Sequence, residues 1–289
     1  EGVDERAASA GEDEDAGVEA LQPRGVGSVI TASTIRAKMS GSTATTTAST
    51  KASAAPEVDY TSKTLTAYTG ARYTIEVCTK LKTNILTTAT ALTYFHKFYE
   101  RTTFEQYDPF TIGCTCIYLA SKIVDDDIRI RDIINVGLSC LKRNSPPLML
   151  EPYFIMRDSL TQCELLLMRV INFKLKVDLP HKYLLHYLSA LKDWIGKDTF
   201  NTIPVSSMAW RVLQDCYHSD LVIRKNAELV AVTCVTMALE LYGVVVPHDL
   251  TTPWYTVLHT SCTKDAVSEL TFQIFDLYEM ENTLEFIKT

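Results

Sequence analysis

Four things are missing from this chain: a basic excess, paired cysteine knuckles, an unbroken apolar run of membrane length, and the short loops that cradle phosphate or present a nucleophile. Lys and Arg number 28 against 35 Asp and Glu, a net charge of -7. The deficit is uneven, with ten acidic and five basic side chains in residues 1–62 and 25 against 23 in the rest. The part with globular composition is therefore nearly neutral, and the attraction to a phosphate backbone that dominates nucleic-acid binding has no source there. No direct nucleic-acid partner is expected.

The eight cysteines are scattered as Cys78, Cys114, Cys116, Cys140, Cys163, Cys216, Cys234 and Cys262. None forms a C-x-x-C pair, and Cys114 and Cys116 point in different directions on a helix, so the spacings of a structural zinc site are absent. Cysteines inside apolar helical patterns read as small buried hydrophobes of a reducing, intracellular compartment, nuclear or cytoplasmic. The most membrane-like stretch, LVAVTCVTMALELYGVVV (229–246), is interrupted by Glu240 and two threonines. It reads as a buried core helix, because a span needs roughly 20 mostly apolar residues. No secretory signal is visible, and no membrane partner is expected. HExxH and GxSxG are absent, and His181 and His186, five apart, do not share a helical face as ligands. His96 reads as a satisfied core or rim histidine, and Asp125–Asp127 as caps and solvated charges. No metal or cofactor is expected.

What is present is helix. Residues 1–62, acidic and then rich in Ser, Thr and Ala, offer too little apolar surface to offset the entropy of ordering, and they read as a disordered tail. Helical periodicity begins near ARYTIEVCTKL (71–81) and continues through NILTTATALTYFHKFYERT (84–102). Asp108 and Pro109 supply an N-cap and a first-turn proline for FTIGCTCIYLASKIV (110–124). Asp127 is expected to cap the helix over 128–141, and a further helix is expected over 154–175. No strand-like alternation competes, so the fold class is all-α.

The second half repeats the first. Shifted by 118 residues, Ala91 falls on Ala209, Tyr99 on Tyr217, and TCIYLASKI (115–123) on TCVTMALEL (233–241). Helices near 180–195, 205–221, 226–242, 253–260 and 264–281 complete a second set. The parse is a tail (1–62) followed by two five-helix units in tandem, 63–176 and 177–289. Only the first places a lysine, Lys122, where the second has Glu240.

Lys122 stands in a helix that is apolar nearly all round, and such a helix is a central one. In the segment 158–173, Cys163, Leu166, Leu167 and Val170 make one apolar face. Leu160, Glu164, Met168 and Ile171 make a second stripe, with Glu164 its one charge. Two readings stand side by side for the two charges. One is a dipole contact for Lys122 at the helix end and an internal ion pair for Glu164. The other is a rim around an apolar patch that awaits the main-chain groups of another protein.

LASKI after a DP-initiated helix, ATALTYFHKFY before it, and the helix bearing CELLLMRVINFKL together resemble the first cyclin box, and the similarity runs over roughly residues 70–280. The resemblance implies two five-helix boxes with no chemistry of their own, which bind a cyclin-dependent kinase as a heterodimer and push its αC helix inward. It places the kinase-contacting lysine on Lys122, the glutamate on Glu164, and apolar contacts on Leu119, Ile123, Met168, Phe173 and Leu175. The MRAIL-type docking motif of cell-cycle cyclins is absent from ARYTIEVCTKL. Two alternatives from other classes are a helical scaffold without a kinase and a twin cyclin-fold transcription factor resembling TFIIB. The second calls for a zinc ribbon and a basic face, and the sequence has neither.

Overall fold

The computed structural model describes residues 62–142, 146–247, 253–259 and 262–287. The expected tail, but for Ser62, lies outside them. Among the described residues every regular element is a helix, and none is long and apolar enough to cross a membrane.

The first set comprises α1 (Ser62–Leu81), α2 (Ile85–Arg101), α3 (Pro109–Val124), α4 (Ile130–Leu141) and α5 (Leu150–Val170). Short side-chain caps fix two of the starts. Asn84 accepts the Leu86 amide at 3.1 Å to open α2, and Asp108 accepts the Thr111 amide at 2.8 Å to open α3. Pro109 fills the first turn of α3, where its missing N–H costs nothing. Helix α3 buries Ile112, Cys116, Ile117, Leu119 and Ala120, and α1, α2, α4 and α5 all pack on it. Two glycines permit the close crossings: a Cβ on Gly113 would stand 2.5 Å from Thr74 Oγ1, and one on Gly137 would stand 2.7 Å from the Tyr73 hydroxyl.

The second set comprises α6 (Pro180–Ile195), α7 (Lys197–Thr202), α8 (Val205–Cys216), α9 (Leu221–Arg224), α10 (Ala227–Tyr242), α11 (Tyr255–Leu258) and α12 (Lys264–Ile287). Its central helix is α10, packed by α6, α8 and α12. The 118-residue shift holds from cap to cap. Pro109–Val124 falls on Ala227–Tyr242, the N-cap Asp108 on Asn226, and the left-handed C-cap Asp125 (φ 62°) on Gly243 (φ 66°). The two sets meet where His96 Nε2 bonds the Tyr217 carbonyl at 2.8 Å and where Tyr68 stacks on His218.

Four expectations are corrected. Asp127 does not cap α4: that helix opens at Ile130, with Arg129 at the N-cap and no side-chain capping bond. Its neighbour Asp126 acts instead, accepting the Asn84 amide at 2.9 Å and the Thr87 hydroxyl at 2.8 Å, so it ties the end of α3 to the start of α2. Helix α5 starts at Leu150 and ends at Val170 rather than spanning 154–175, because Asn172 and Phe173 both turn left-handed (φ 54°). The helix expected near 205–221 is broken at Cys216, with α9 a separate short helix, and α7 is added between α6 and α8. The last helix runs on to Ile287 rather than stopping at 281.

Candidate functional site

Lys122 occupies the last turn of α3, and Glu164 lies on the side of α5 that faces it. The ammonium donates to both carboxylate oxygens, at 2.7 Å to Oε1 and 2.8 Å to Oε2. It also stands 3.9 Å from the centre of the Tyr118 ring, one turn back on α3. The partners differ in exposure: the Glu164 side chain is 9% exposed and that of Lys122 47%. Partial burial works against the charge on Lys122, but the hydrogen bond it donates to Glu164 and the contact with Tyr118 hold its pKa above the ordinary lysine value.

The two stripes read in the sequence of α5 resolve into one buried face, made by Leu160, Glu164, Leu167 and Ile171. Glu164 is therefore a core-facing carboxylate whose charge is answered by a lysine reaching in from the edge. Cys163, Leu166, Met168 and Val170 are half-buried around it.

Of the apolar residues placed at the site by resemblance, Ile123 is 44% exposed and Phe173 63% exposed. Met168 and Leu175 are half-buried. Leu119 is buried in the core beneath and contributes no exposed surface. The segment after α5 is held from both sides. The Phe173 amide bonds the Met168 carbonyl at 2.8 Å, and the Tyr94 hydroxyl on α2 donates to the Leu175 carbonyl at 2.6 Å. Arg101, also from α2, donates to the Val170 carbonyl. Two non-glycine residues in the left-handed region are costly, and these bonds fix them there. The result is that Phe173 projects outward.

Two further exposed apolar residues, Phe154 and Leu165, were not read from the sequence. They share a stripe of α5 with Met168, at spacings of eleven and three. The signal available for Leu165 was the run Leu165–Leu167, since three consecutive leucines cannot all face one side of a helix. Ile123 and Leu165 adjoin the two charged residues in sequence, which makes this face the candidate interaction surface. Among the described residues no group of His, Cys, Asp and Glu has the arrangement of a metal site.

Residues 46–176 match the family model described as cyclin, N-terminal domain. Lys122 and Glu164 both lie within the matched residues. Human Cyclin-K is 27% identical over 219 residues, which cover 72% of this chain and 36% of that protein. Cyclin pch1 of Schizosaccharomyces pombe is 29% identical over 174 residues, 59% of this chain and 49% of that protein. The chain thus spans between about a third and a half of the length of these cyclin relatives. Among solved structures, a chain of the yeast RNA Pol II CTD kinase CTDK-1 complex superposes with a TM-score of 0.61 at 18% identity, over 74% of this chain and 66% of that one. A chain of the yeast TFIIK complex gives 0.52 at 17% identity, over 73% and 86%. At these identities the superpositions establish a shared fold.

Proposed function

We propose that the chain is the non-catalytic activating subunit of a cyclin-dependent kinase, with the surface bordered by Lys122 and Glu164 as its kinase-binding site. The observation that carries this reading is an ion pair set among the exposed side chains of Ile123, Leu165 and Phe173 on a cyclin N-terminal domain. Apolar area supplies the affinity, and the paired charges fix the register of the incoming helix by offering it donors and acceptors. The partner performs the phosphoryl transfer. Its αC helix, pressed inward, brings the Lys–Glu pair that aligns ATP into place. The reading gains support from the named relatives, which are cyclins, and from the superposing CTDK-1 chain, which belongs to a kinase complex.

Shifting a kinase from about 1:99 to 99:1 in favour of its active form requires roughly 5.5 kcal/mol of differential binding. A permanent-type interface, of order 2,000 Å² in total, provides such a surplus. The complex is therefore a stable heterodimer in an intracellular compartment. Within the cyclins, RDIINV (131–136) and PHKYLLHYL (180–188) resemble cyclin Q, which makes cyclin-dependent kinase ten the first partner to try. The domain boundaries that go with this reading are 63–176 for the kinase-binding box and 177–289 for the second.

The experiment is co-purification of the kinase with the double variant Lys122→Glu, Glu164→Lys, beside Ile123→Asp. The double variant keeps an internal ion pair while inverting its polarity, and Ile123→Asp changes a half-exposed side chain beside it. Each folded variant is expected to lose the kinase at equal protein concentration. Undiminished capture by both removes the site assignment. Capture without any gain in phosphorylation points instead to the scaffold.

A further inference from the structure

Helix α2 turns one stripe, Tyr94, Lys97 and Arg101, towards the end of α5 and the segment that follows it. Both ends of the stripe are bonded there: the Tyr94 hydroxyl donates to the Leu175 carbonyl at 2.6 Å, and Arg101 donates to the Val170 carbonyl. Lys97 lies three residues from one and four from the other, on the same helical face, so it stands between these bonds and against the same segment. That segment brings a third cation, the exposed Lys174, next to Leu175 in sequence. Lys97, Arg101 and Lys174 thus meet in one place, and none of them has an ion-pair partner among the described residues. Lys176, two residues on, differs in having the carboxylate of Asp178 near it.

Helix ends account for part of this cluster. The C-termini of α2 and α5 both lie here, and the negative end of a helix favours cations. That explains Arg101, which caps a last-turn carbonyl of α5. It does not explain Lys97, which is half-buried with two like charges beside it. Burial, and then the charges of Lys174 and Arg101, hold the Lys97 pKa below the ordinary lysine value, against the pull of the exposed Glu100. Cations gathered in this way repel one another, and a bound anion relieves all three at once. A carboxylate would bring a single charge. A phosphate on serine or threonine brings about −1.5 to −2 near pH 7, with three strong acceptor oxygens. Phe173, the neighbour of Lys174, is 63% exposed and belongs to the surface assigned above to the kinase. The cluster is therefore continuous with that surface, whereas Lys122 and Glu164 already neutralise each other.

We propose that Lys97, Arg101 and Lys174 form a phosphate site that takes a phosphorylated serine or threonine of the bound kinase. The assignment rests on the kinase-binding reading above and adds a regulatory contact to it: the complex tightens when that residue of the kinase is phosphorylated. The ammonium groups approach the phosphate from α2 and from the segment after α5, and the guanidinium adds charge-assisted N–H donors.

The test has two arms. In the first, the full chain labelled with 15N is titrated with N-acetylphosphothreonine amide, with the threonine and glutamate amides as neutral and carboxylate counterparts. The phosphothreonine compound is expected to move the amide signals of residues 97–101 and 172–175 saturably and to bind at least tenfold tighter than either counterpart. Lys174→Glu, at an exposed position, is expected to weaken that binding at least tenfold while retaining native circular dichroism. In the second arm, the kinase that co-purifies with the parent chain is treated with a phosphatase and recaptured. Recapture by the parent is expected to fall at least fivefold, and recapture by Lys174→Glu to be no further reduced by the treatment. The proposal fails if the glutamate compound binds as tightly, if Lys174→Glu binds the phosphothreonine compound undiminished, or if the phosphatase leaves recapture by the parent unaltered. It fails too if replacing Glu12, Asp13, Glu14 and Asp15 by Gln and Asn moves the same signals, because the chain's own acidic run is then the occupant. Loss of the kinase from Ile123→Asp without any phosphate effect removes this site and leaves the kinase reading standing. A parent chain that captures no kinase removes both.

Discussion

His96, on α2, is bonded through Nε2 to the backbone carbonyl of Tyr217, at the end of α8, across 2.8 Å. The joint between the two helical sets therefore depends on a buried imidazole that presents an N–H. Burial lowers the pKa of this ring, against the opposing pull of the Tyr217 carbonyl and Asp220. His181, buried in the first turn of α6, is lowered to about 4 by the same cause.

Stability should fall on acidification in a defined window. Both rings are neutral in the folded chain and take a proton near pH 6.5 in the unfolded one, so unfolding takes up protons below that pH. Stability from His181 is complete above about pH 6.5, is lost as pH falls towards about 4, and changes little further below, and His96 adds a loss of the same sign. For His181 alone the loss amounts to up to about 3 kcal/mol. Urea midpoints measured between pH 7.5 and 4.5 check this, and His181→Phe should flatten the profile.

Removing one end of the site's ion pair should be asymmetric. Lys122→Met leaves the core-facing Glu164 carboxylate without its partner and should cost about 1–2 kcal/mol. Glu164→Gln leaves a half-exposed ammonium that can turn to water, and it should cost less than about 1 kcal/mol. Chemical unfolding of the two single variants decides it. Equal losses would mean that burial of the carboxylate plays no part.

Adjacent aspartates should behave differently. Asp126→Ala removes the acceptor for the Asn84 amide and the Thr87 hydroxyl and should cost about 1 kcal/mol. Asp127→Ala removes no bond the structure shows and should stay within about 0.5 kcal/mol of the parent. Thermal melts of the pair, read side by side, give the answer.

Crowding at the α1–α3 crossing should make Gly113→Ala expensive. Its Cβ would press on Thr74 Oγ1, whose hydroxyl already donates to the Gly70 carbonyl at 2.8 Å. Overpacking of this kind costs about 1–3 kcal/mol. Gly243→Ala meets no atom, only a left-handed backbone, and should cost about 1 kcal/mol. Denaturant midpoints separate the two.

The central helices were legible because their signals are local. Asp108 and Pro109 announce the start of α3, and the apolar run with its repeat 118 residues later marks α3 and α10 as the two buried axes. Periodicity alone did not decide which stripe of α5 faces the core, since Leu160 and Ile171 on one stripe and Leu167 on the other are equally apolar. Packing against α3 draws the buried face through both. The end of α5 was hidden for a different reason. Asn172 and Phe173 turn left-handed without a glycine, held by bonds from Tyr94 and Arg101 that lie far away in sequence. The short α7 and α9 contain too few turns to show a period. At the site, the charges of Lys122 and Glu164 could be read as a pair, but Leu165 and Phe154 emerge only once the helix faces are fixed.

The duplication also bears on stoichiometry. Helix α10 repeats α3 in length and in the positions of its caps, yet it shows an exposed carboxylate, Glu240, where α3 shows the ammonium of Lys122. A partner whose polarity suits one copy of the scaffold is repelled by the other. Internal symmetry in the backbone is cancelled by antisymmetry in charge, and the partner proposed above would find a single berth.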